Sequence, residues 1–136
     1  MQLTQYSDYS MRVLIYLVQH KGKLCTIDEI SDYYNISRNH LMKVVNHLVN
    51  AKFIESVRGR SGGIRLISDP REISIGAVIR STESGFNLVE CFNPRKQDCA
   101  AIPVCKFNYI LATAFQEFMK VLDNSTLADA LQTKTQ

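Results

Sequence analysis

The run Glu90 to Lys106 reads E-C-F-N-P-R-K-Q-D-C-A-A-I-P-V-C-K and holds three of the chain's four cysteines, Cys91, Cys99 and Cys105. Pro94, Pro103 and the polar run Asn93 to Asp98 argue against helix or strand. Whatever fold the chain takes must therefore carry a loop with three thiols on it. Such a loop can wrap a metal, and an odd count within one loop disfavours a simple disulfide. Three thiolates still want a fourth ligand, whether for tetrahedral zinc or for a four-iron cluster. The C-x-x-C spacing of zinc ribbons and simple ferredoxins is absent, so spacing alone does not choose between zinc, a cluster and inert thiols.

The rest of the chain sets the surroundings of that loop. With 136 residues, 46% of them apolar and 21% charged, it has the makeup of one ordinary soluble domain plus an appendage. No apolar run approaches the roughly 20 residues of a membrane helix, and M-Q-L-T-Q-Y-S-D-Y-S lacks the basic start and apolar core of a signal peptide. The expected location is the cytoplasm, with no membrane partner. Thiols stay reduced there, which favours metal or redox roles over cross-links.

Tyr6, Val13, Leu14, Leu17 and Val18 recur at helical spacing and predict a first helix from Thr4 to His20, ended by Gly22. Asp8 and Arg12 are four apart on its outer face, spaced to pair. Thr26-Ile27-Asp28-Glu29 is a capping box that opens a short second helix, Ile27 to Tyr34. Cys25 just before it and Ile30 within it make a hydrophobic staple, so Cys25 is read as structural. Ser37 caps a third helix to about Ala51, with Leu41, Val44, Val45, Leu48 and Val49 inward. Arg38, Asn39, His40, Lys43, Asn46, His47 and Asn50 line its other side. A short helix, a tight turn and a longer helix with polar residues at its start form the helix-turn-helix pattern.

Phe53 to Val57 and Ile64 to Ile67 read as two strands joined by Arg58-Gly59-Arg60-Ser61-Gly62-Gly63, a wing directly after the helix-turn-helix. The net charge is only +3, yet from Ser37 to Arg65 six cations stand against the single carboxylate Glu55. This concentration points to double-stranded DNA. Arg38, Asn39, His40 and Lys43 are assigned to the major groove, Arg58 and Arg60 to the minor groove, and Lys52 and Arg65 to phosphates.

Ser74 caps a helix through about Thr82. Beyond the cysteine loop, Phe107, Ile110, Leu111, Ala114, Phe115, Phe118, Met119 and Leu122 predict a long helix more apolar than a small monomer needs. Residues 107–122 are therefore expected to form a homodimer seam. Ser125 is expected to cap a short last helix over Thr126 to Leu131, and Gln132 to Gln136 to fray. The expected architecture is mainly α with a small β-hairpin: a winged helix-turn-helix domain over 1–83, a cluster loop over 84–106, and a dimerisation helix with a C-terminal helix over 107–136. No nucleotide-binding glycine motif or nucleophile-base pattern suggests an enzyme, and the three histidines lie on the first and third helices.

Three stretches carry a resemblance: L-T-Q-Y-S-D-Y-S-M-R-V-L at 3–14, S-R-N-H-L-M-K-V-V at 37–45 and R-G-R-S-G-G-I-R-L at 58–66. With the cysteine loop, they make the chain similar to the Rrf2-type family of bacterial regulators, and within it to the nitric-oxide-sensing repressors. The resemblance implies a 4Fe-4S cluster held by Cys91, Cys99, Cys105 and Asp8 of the partner subunit, with Arg12 close by. It further implies a homodimer that represses at palindromic promoter DNA and releases it when nitric oxide attacks the cluster. Cluster-biogenesis regulators of the same family place a histidine three residues after the last cysteine. Asn108 stands there in this chain, which disfavours 2Fe-2S. Seven residues separate Cys91 and Cys99, more than in some relatives. Sensing of iron or cluster status, thiol redox state or zinc is the alternative within the same frame, and an iron-sulfur electron carrier is the rival outside it.

Overall fold

Every α-helix but the last starts where a hydroxyl satisfies an early amide. The computed structural model describes residues 1–131 and gives, in order, α1 (Gln5–Gln19), α2 (Ile27–Tyr34), α3 (Arg38–Asn50), β1 (Ile54–Val57), β2 (Gly63–Leu66), α4 (Ile75–Thr82) and α5 (Phe107–Asp123). The mainly helical winged architecture expected from the sequence is thus the observed one. Thr4, Thr26, Ser37 and Ser74 accept from the amides of Ser7, Glu29, His40 and Ala77 at 3.1 to 3.3 Å. Each such cap stabilises its helix by about 1 kcal/mol. The capping box on α2 is only half formed, because the Glu29 carboxylate turns to Lys23 Nζ at 3.4 Å.

α1 packs on both α3 and α4. Val13, Leu14, Ile30, Leu41, Val44, Leu48, Ile54 and Val78 are fully buried between these elements. Burying each such side chain contributes about 1.5–3 kcal/mol. Cys25 joins them: its amide and carbonyl pair with Ile64 at 3.0 and 2.8 Å, adding one residue of strand beside β2. Burial pushes its thiol above the usual range, reinforced by the Glu29 charge. These surroundings suit the structural role read for it.

The turn between α2 and α3 places Asn35 in the left-handed region at φ 54°, and Ser31 Oγ donates to the Ile36 carbonyl at 2.6 Å. The hairpin pairs Ile54 with Leu66, Glu55 with Arg65, Ser56 with Ile64 and Val57 with Gly63. Ile54 and Ile64 are buried while Arg65 points out, the alternation a half-covered strand requires.

The helix expected over Thr126 to Leu131 does not form. The chain turns there instead, and Thr126 bridges to Ser74. The Leu127 amide donates to the Ile73 carbonyl at 2.8 Å, and Leu127 is completely buried. Ser125 Oγ bonds backward to the Val121 carbonyl at 2.7 Å rather than capping forward. Burial of Leu127 outweighs a six-residue helix, which would recover little of its nucleation cost. The tail Gln132 to Gln136, expected to fray, lies outside the described residues.

The periodic residues of the last long helix separate into two stripes. Leu111, Phe115, Met119 and Leu122 are buried or half-buried on the side that meets α4 and Phe86. Phe107, Ile110 and Val121 lie on the adjoining face, 59%, 61% and 65% exposed, with Ala114 and Phe118 between them. Among the described residues nothing covers this second stripe.

Candidate nucleic-acid interface and metal centre

Arg38, Asn39, His40 and Lys43 all stand exposed on α3, since the inward positions are taken by Leu41, Val44, Val45 and Leu48. Arg38 Nε lies 2.7 Å from Asp28 Oδ1, so a carboxylate of α2 steadies the guanidinium at the start of α3. The His40 ring meets the Tyr9 ring edge-on at 5.4 Å. At the wing, Gly59 adopts φ 117°, and a Cβ on Gly62 would run into the Val57 carbonyl. The tip is therefore narrow, and Arg58 and Arg60 project from it. Among the described residues no ion pair engages Lys43, Lys52, Arg58 or Arg60, which leaves four cations free for an anionic partner. Arg65 differs: its Nε sits 2.7 Å from Glu55 Oε1, its cross-strand partner.

Lys52 has an unusual backbone. It lies at φ 66°, with its amide donating to the Val49 carbonyl and the Phe53 amide to the Leu48 carbonyl at 3.1 and 3.0 Å. That is the two-bond helix ending usually built on glycine.

The three cysteines of the loop are free thiols, Cys91 and Cys105 half-buried and Cys99 exposed. A short 3-10 turn spans Glu90–Phe92, and Gln97 Nε2 donates to the carbonyls of Cys91 and Asn93 at 2.9 and 3.0 Å. The Cys105 amide donates to the Ala101 carbonyl at 2.8 Å, two residues before α5 begins. Among the described residues no three His, Cys, Asp or Glu side chains are gathered as a metal site. In donor type the loop nevertheless fits a soft, thiolate-held iron centre: three unlinked thiols, none fully buried, on a segment tied mainly by local turns. Closing that loop is what would bring the sulfurs together.

Asp8 sits on the outer face of α1 with both carboxylate oxygens on Arg12, at 2.9 and 3.1 Å. The spacing on the helix anticipated that pair. It did not reveal how Arg12 is held. The guanidinium lies 5.5 and 5.8 Å from the Tyr9 and Tyr34 ring centroids, and Tyr34 Oη donates to the Arg12 carbonyl at 2.9 Å. Tyr9 was legible three residues before Arg12, a facing position on a helix; Tyr34, from another helix, was not.

Comparison with known proteins now decides the family. The family described as Rrf2, Iron-dependent Transcriptional regulator, matches residues 3–133. The chain belongs to the Rrf2 family. Among Rrf2-type relatives, the HTH-type transcriptional regulator NsrR of Bacillus subtilis is 47% identical over 135 residues, spanning 98% of this chain and 92% of that one. NsrR of Bacillus licheniformis is 48% identical over 132 residues, spanning 96% and 92%. The solved structure of CymR, the global cysteine regulator of B. subtilis, superposes with a TM-score of 0.77 at 27% identity, covering 96% of this chain and 95% of that one. IscR of T. potens shares the fold with a TM-score of 0.75 at 24% identity, covering 99% and 94%. The winged helix-turn-helix fold is thus that of an Rrf2 transcription regulator. Among the described residues no helix is long and apolar enough to cross a membrane.

Proposed function

We propose that this Rrf2 regulator is a cytoplasmic, nitric-oxide-responsive repressor that grips palindromic promoter DNA as a homodimer while it carries a 4Fe-4S cluster. Cys91, Cys99 and Cys105 supply three ligands and Asp8 of the partner subunit the fourth. The observation that carries this reading is a donor set: three free thiols share one loop, while among the described residues no three His, Cys, Asp or Glu side chains form a complete site by themselves. Near-full-length likeness to NsrR supports the same assignment.

When bound, the cluster supplies iron that nitric oxide can attack. A carboxylate is a harder and more exchangeable ligand for such iron than a thiolate, so Asp8 is the contact most readily given up. Asp8 belongs to the helix on which α3 packs, so its hold bears on the recognition helix. Two recognition helices must sit about 34 Å apart to enter successive major grooves. The uncovered stripe of α5 is the surface that sets this distance, by pairing with its copy. Asn39 and Lys43 then face base edges, with Arg38 and His40 beside them. Arg58 and Arg60 reach the minor groove, while Lys52 and Arg65 meet phosphates.

A second reading, oxidation of the thiols themselves as the signal, is favoured by the exposure of Cys99 and by likeness to a cysteine regulator. Anaerobically purified protein separates the two. Under the first reading it absorbs in the visible, and nitric oxide removes both the absorption and operator binding in a gel shift. Colourless protein with stoichiometric zinc, or operator binding that ignores nitric oxide, would overturn it. Operator release by a disulfide-forming oxidant from iron-free protein would establish the second.

A further inference from the structure

Ser81 and Thr82 in the last turn of α4, and Glu83 that caps it, each bind outside α4. Ser81 Oγ lies 2.8 Å from His47 Nε2 in the last turn of α3. Thr82 Oγ1 lies 2.7 Å from Ser7 Oγ, both side chains being buried. Glu83 Oε1 accepts from the Thr4 amide, Thr4 Oγ1 and Ser7 Oγ at 2.8, 3.0 and 2.6 Å. Partial burial works to raise the Glu83 carboxyl, but the donors from Ser7 and Thr4 outweigh it and hold it below its ordinary range. It is therefore a charged acceptor at neutral pH, and such hydrogen bonds are the stronger kind.

The position of this joint matters more than its strength. Glu83 is the residue immediately before the segment 84–106 that carries Cys91, Cys99 and Cys105. Thr4 caps α1, and its carbonyl accepts from the Asp8 amide at 3.0 Å, so Glu83 grips the turn that presents Asp8. Ser81 grips the far end of the recognition helix, and Tyr6 packs its ring edge against His47 at 5.4 Å.

The geometry points to Glu83, seconded by Ser81, as the positioning residue that passes the state of the cysteine loop to the DNA-binding helices. Resting on the function proposed above, this deepens it by naming the route within one protomer. Glu83 touches neither DNA nor the thiols; it acts through Thr4 and Ser7, and Ser81 acts through His47.

The test compares operator affinity of the intact dimer with and without its cluster, at fixed salt, for the natural protein, Glu83→Ala, Glu83→Gln and Ser81→Ala. Glu83→Ala is expected to keep its iron and visible absorption while the ratio of cluster-loaded to cluster-free affinity falls about tenfold, the scale of one charge-assisted hydrogen bond. Glu83→Gln keeps an acceptor oxygen and recovers part of the ratio; Ser81→Ala lowers it without the change at α1. A merely structural role would lower both affinities together and leave the ratio alone, and that result overturns the proposal. Should Glu83→Ala fail to fold, Ser81→Ala decides by the same ratio. Hydrogen exchange of the cluster-free dimer gives an independent reading. Ser81→Ala should speed exchange in the last turn of α3, and Glu83→Gln in the first turn of α1. Unchanged exchange at both places also overturns the joint. A natural protein that binds its operator equally with and without iron instead removes the function proposed above, and the exchange result then stands on its own.

Discussion

Asp8 and Arg12 hold each other through two hydrogen bonds on the solvent side of α1. Their side chains are 48% and 41% exposed, a setting in which an i, i+4 pair contributes only about 0.3–0.5 kcal/mol. Arg12 also rests on two tyrosine rings and keeps that support when Asp8 turns away. Moving Asp8 from Arg12 to an iron ligand therefore costs the fold little. Asp8→Ala should leave the denaturant unfolding of cluster-free protein within about 0.5 kcal/mol of the natural chain. Decay of visible absorption in loaded protein should be faster. Identical decay in the two proteins would sink the Asp8 assignment.

The outer stripe of α5 makes a separate prediction about assembly. Ile110 is 61% exposed in the single chain, so a charge there harms no core contact. Against a second copy, the same charge would be buried without a partner, which costs several kcal/mol. Ile110→Asp should thus be monomeric in analytical ultracentrifugation at concentrations where the natural protein is dimeric, with its helical circular dichroism unchanged. A dimer that survives the substitution would place the seam elsewhere.

What the sequence disclosed, and what it hid, follows how local each signal is. The caps Thr26, Ser37 and Ser74 act over three residues and could be read in order, whereas Thr4, read as the first residue of its helix, is the cap of α1. The wing could be read because glycine and arginine cluster between two short apolar runs. The backbone of Lys52 could not be read, since lysine gives no hint of a left-handed conformation. Nor could the fate of residues 126–131, where a buried Leu127 and its bond to Ile73 override a plausible helix start. Of the candidate site, the three cysteines were legible as residue types on one loop. The grip of Ser81, Thr82 and Glu83 on α1 and α3 spans up to 79 positions of chain and has no periodic trace.

α4 and α5 approach closely at Gly76, where an added Cβ would lie 2.8 Å from the Asp123 amide nitrogen. Backbone cannot swing aside as a side chain can. Gly76→Ala should therefore destabilise by about 1–3 kcal/mol, the usual cost of overpacking, despite alanine's better helix propensity. Thermal unfolding of cluster-free protein checks this, and a raised Tm would show that α5 shifts freely along α4. The Arg80 to Asp123 ion pair crosses the same contact and should weaken with it.

Arg60 sits at the wing tip without an ion pair among the described residues, so its removal costs the fold nothing comparable. Arg60→Ala should change stability by less than about 0.5 kcal/mol. Operator affinity should fall clearly. If the side chain displaces one counterion, the slope of log affinity against log salt should lose about one unit. Measured by fluorescence anisotropy across a salt series, an unchanged slope would remove Arg60 from the interface.

Lys52 offers a sharper separation of stability from function. Its φ of 66° places a long side chain in the left-handed region, where an L-residue is disfavoured by about 1–2 kcal/mol relative to glycine. Glycine gives back part of that gain through the greater freedom of its unfolded chain. Lys52→Gly should therefore leave the helix ending intact and stabilise the fold by up to about 1 kcal/mol. The same exchange removes one of the four cations that make no ion pair among the described residues, and it should weaken DNA binding at every sequence alike, as a phosphate contact does. Opposite signs, a higher Tm with a lower operator affinity, would mean that the strained turn is retained for the charge it presents. A higher Tm with unchanged affinity would take Lys52 out of the phosphate contacts and leave Arg58 and Arg60 to carry the wing's share of binding.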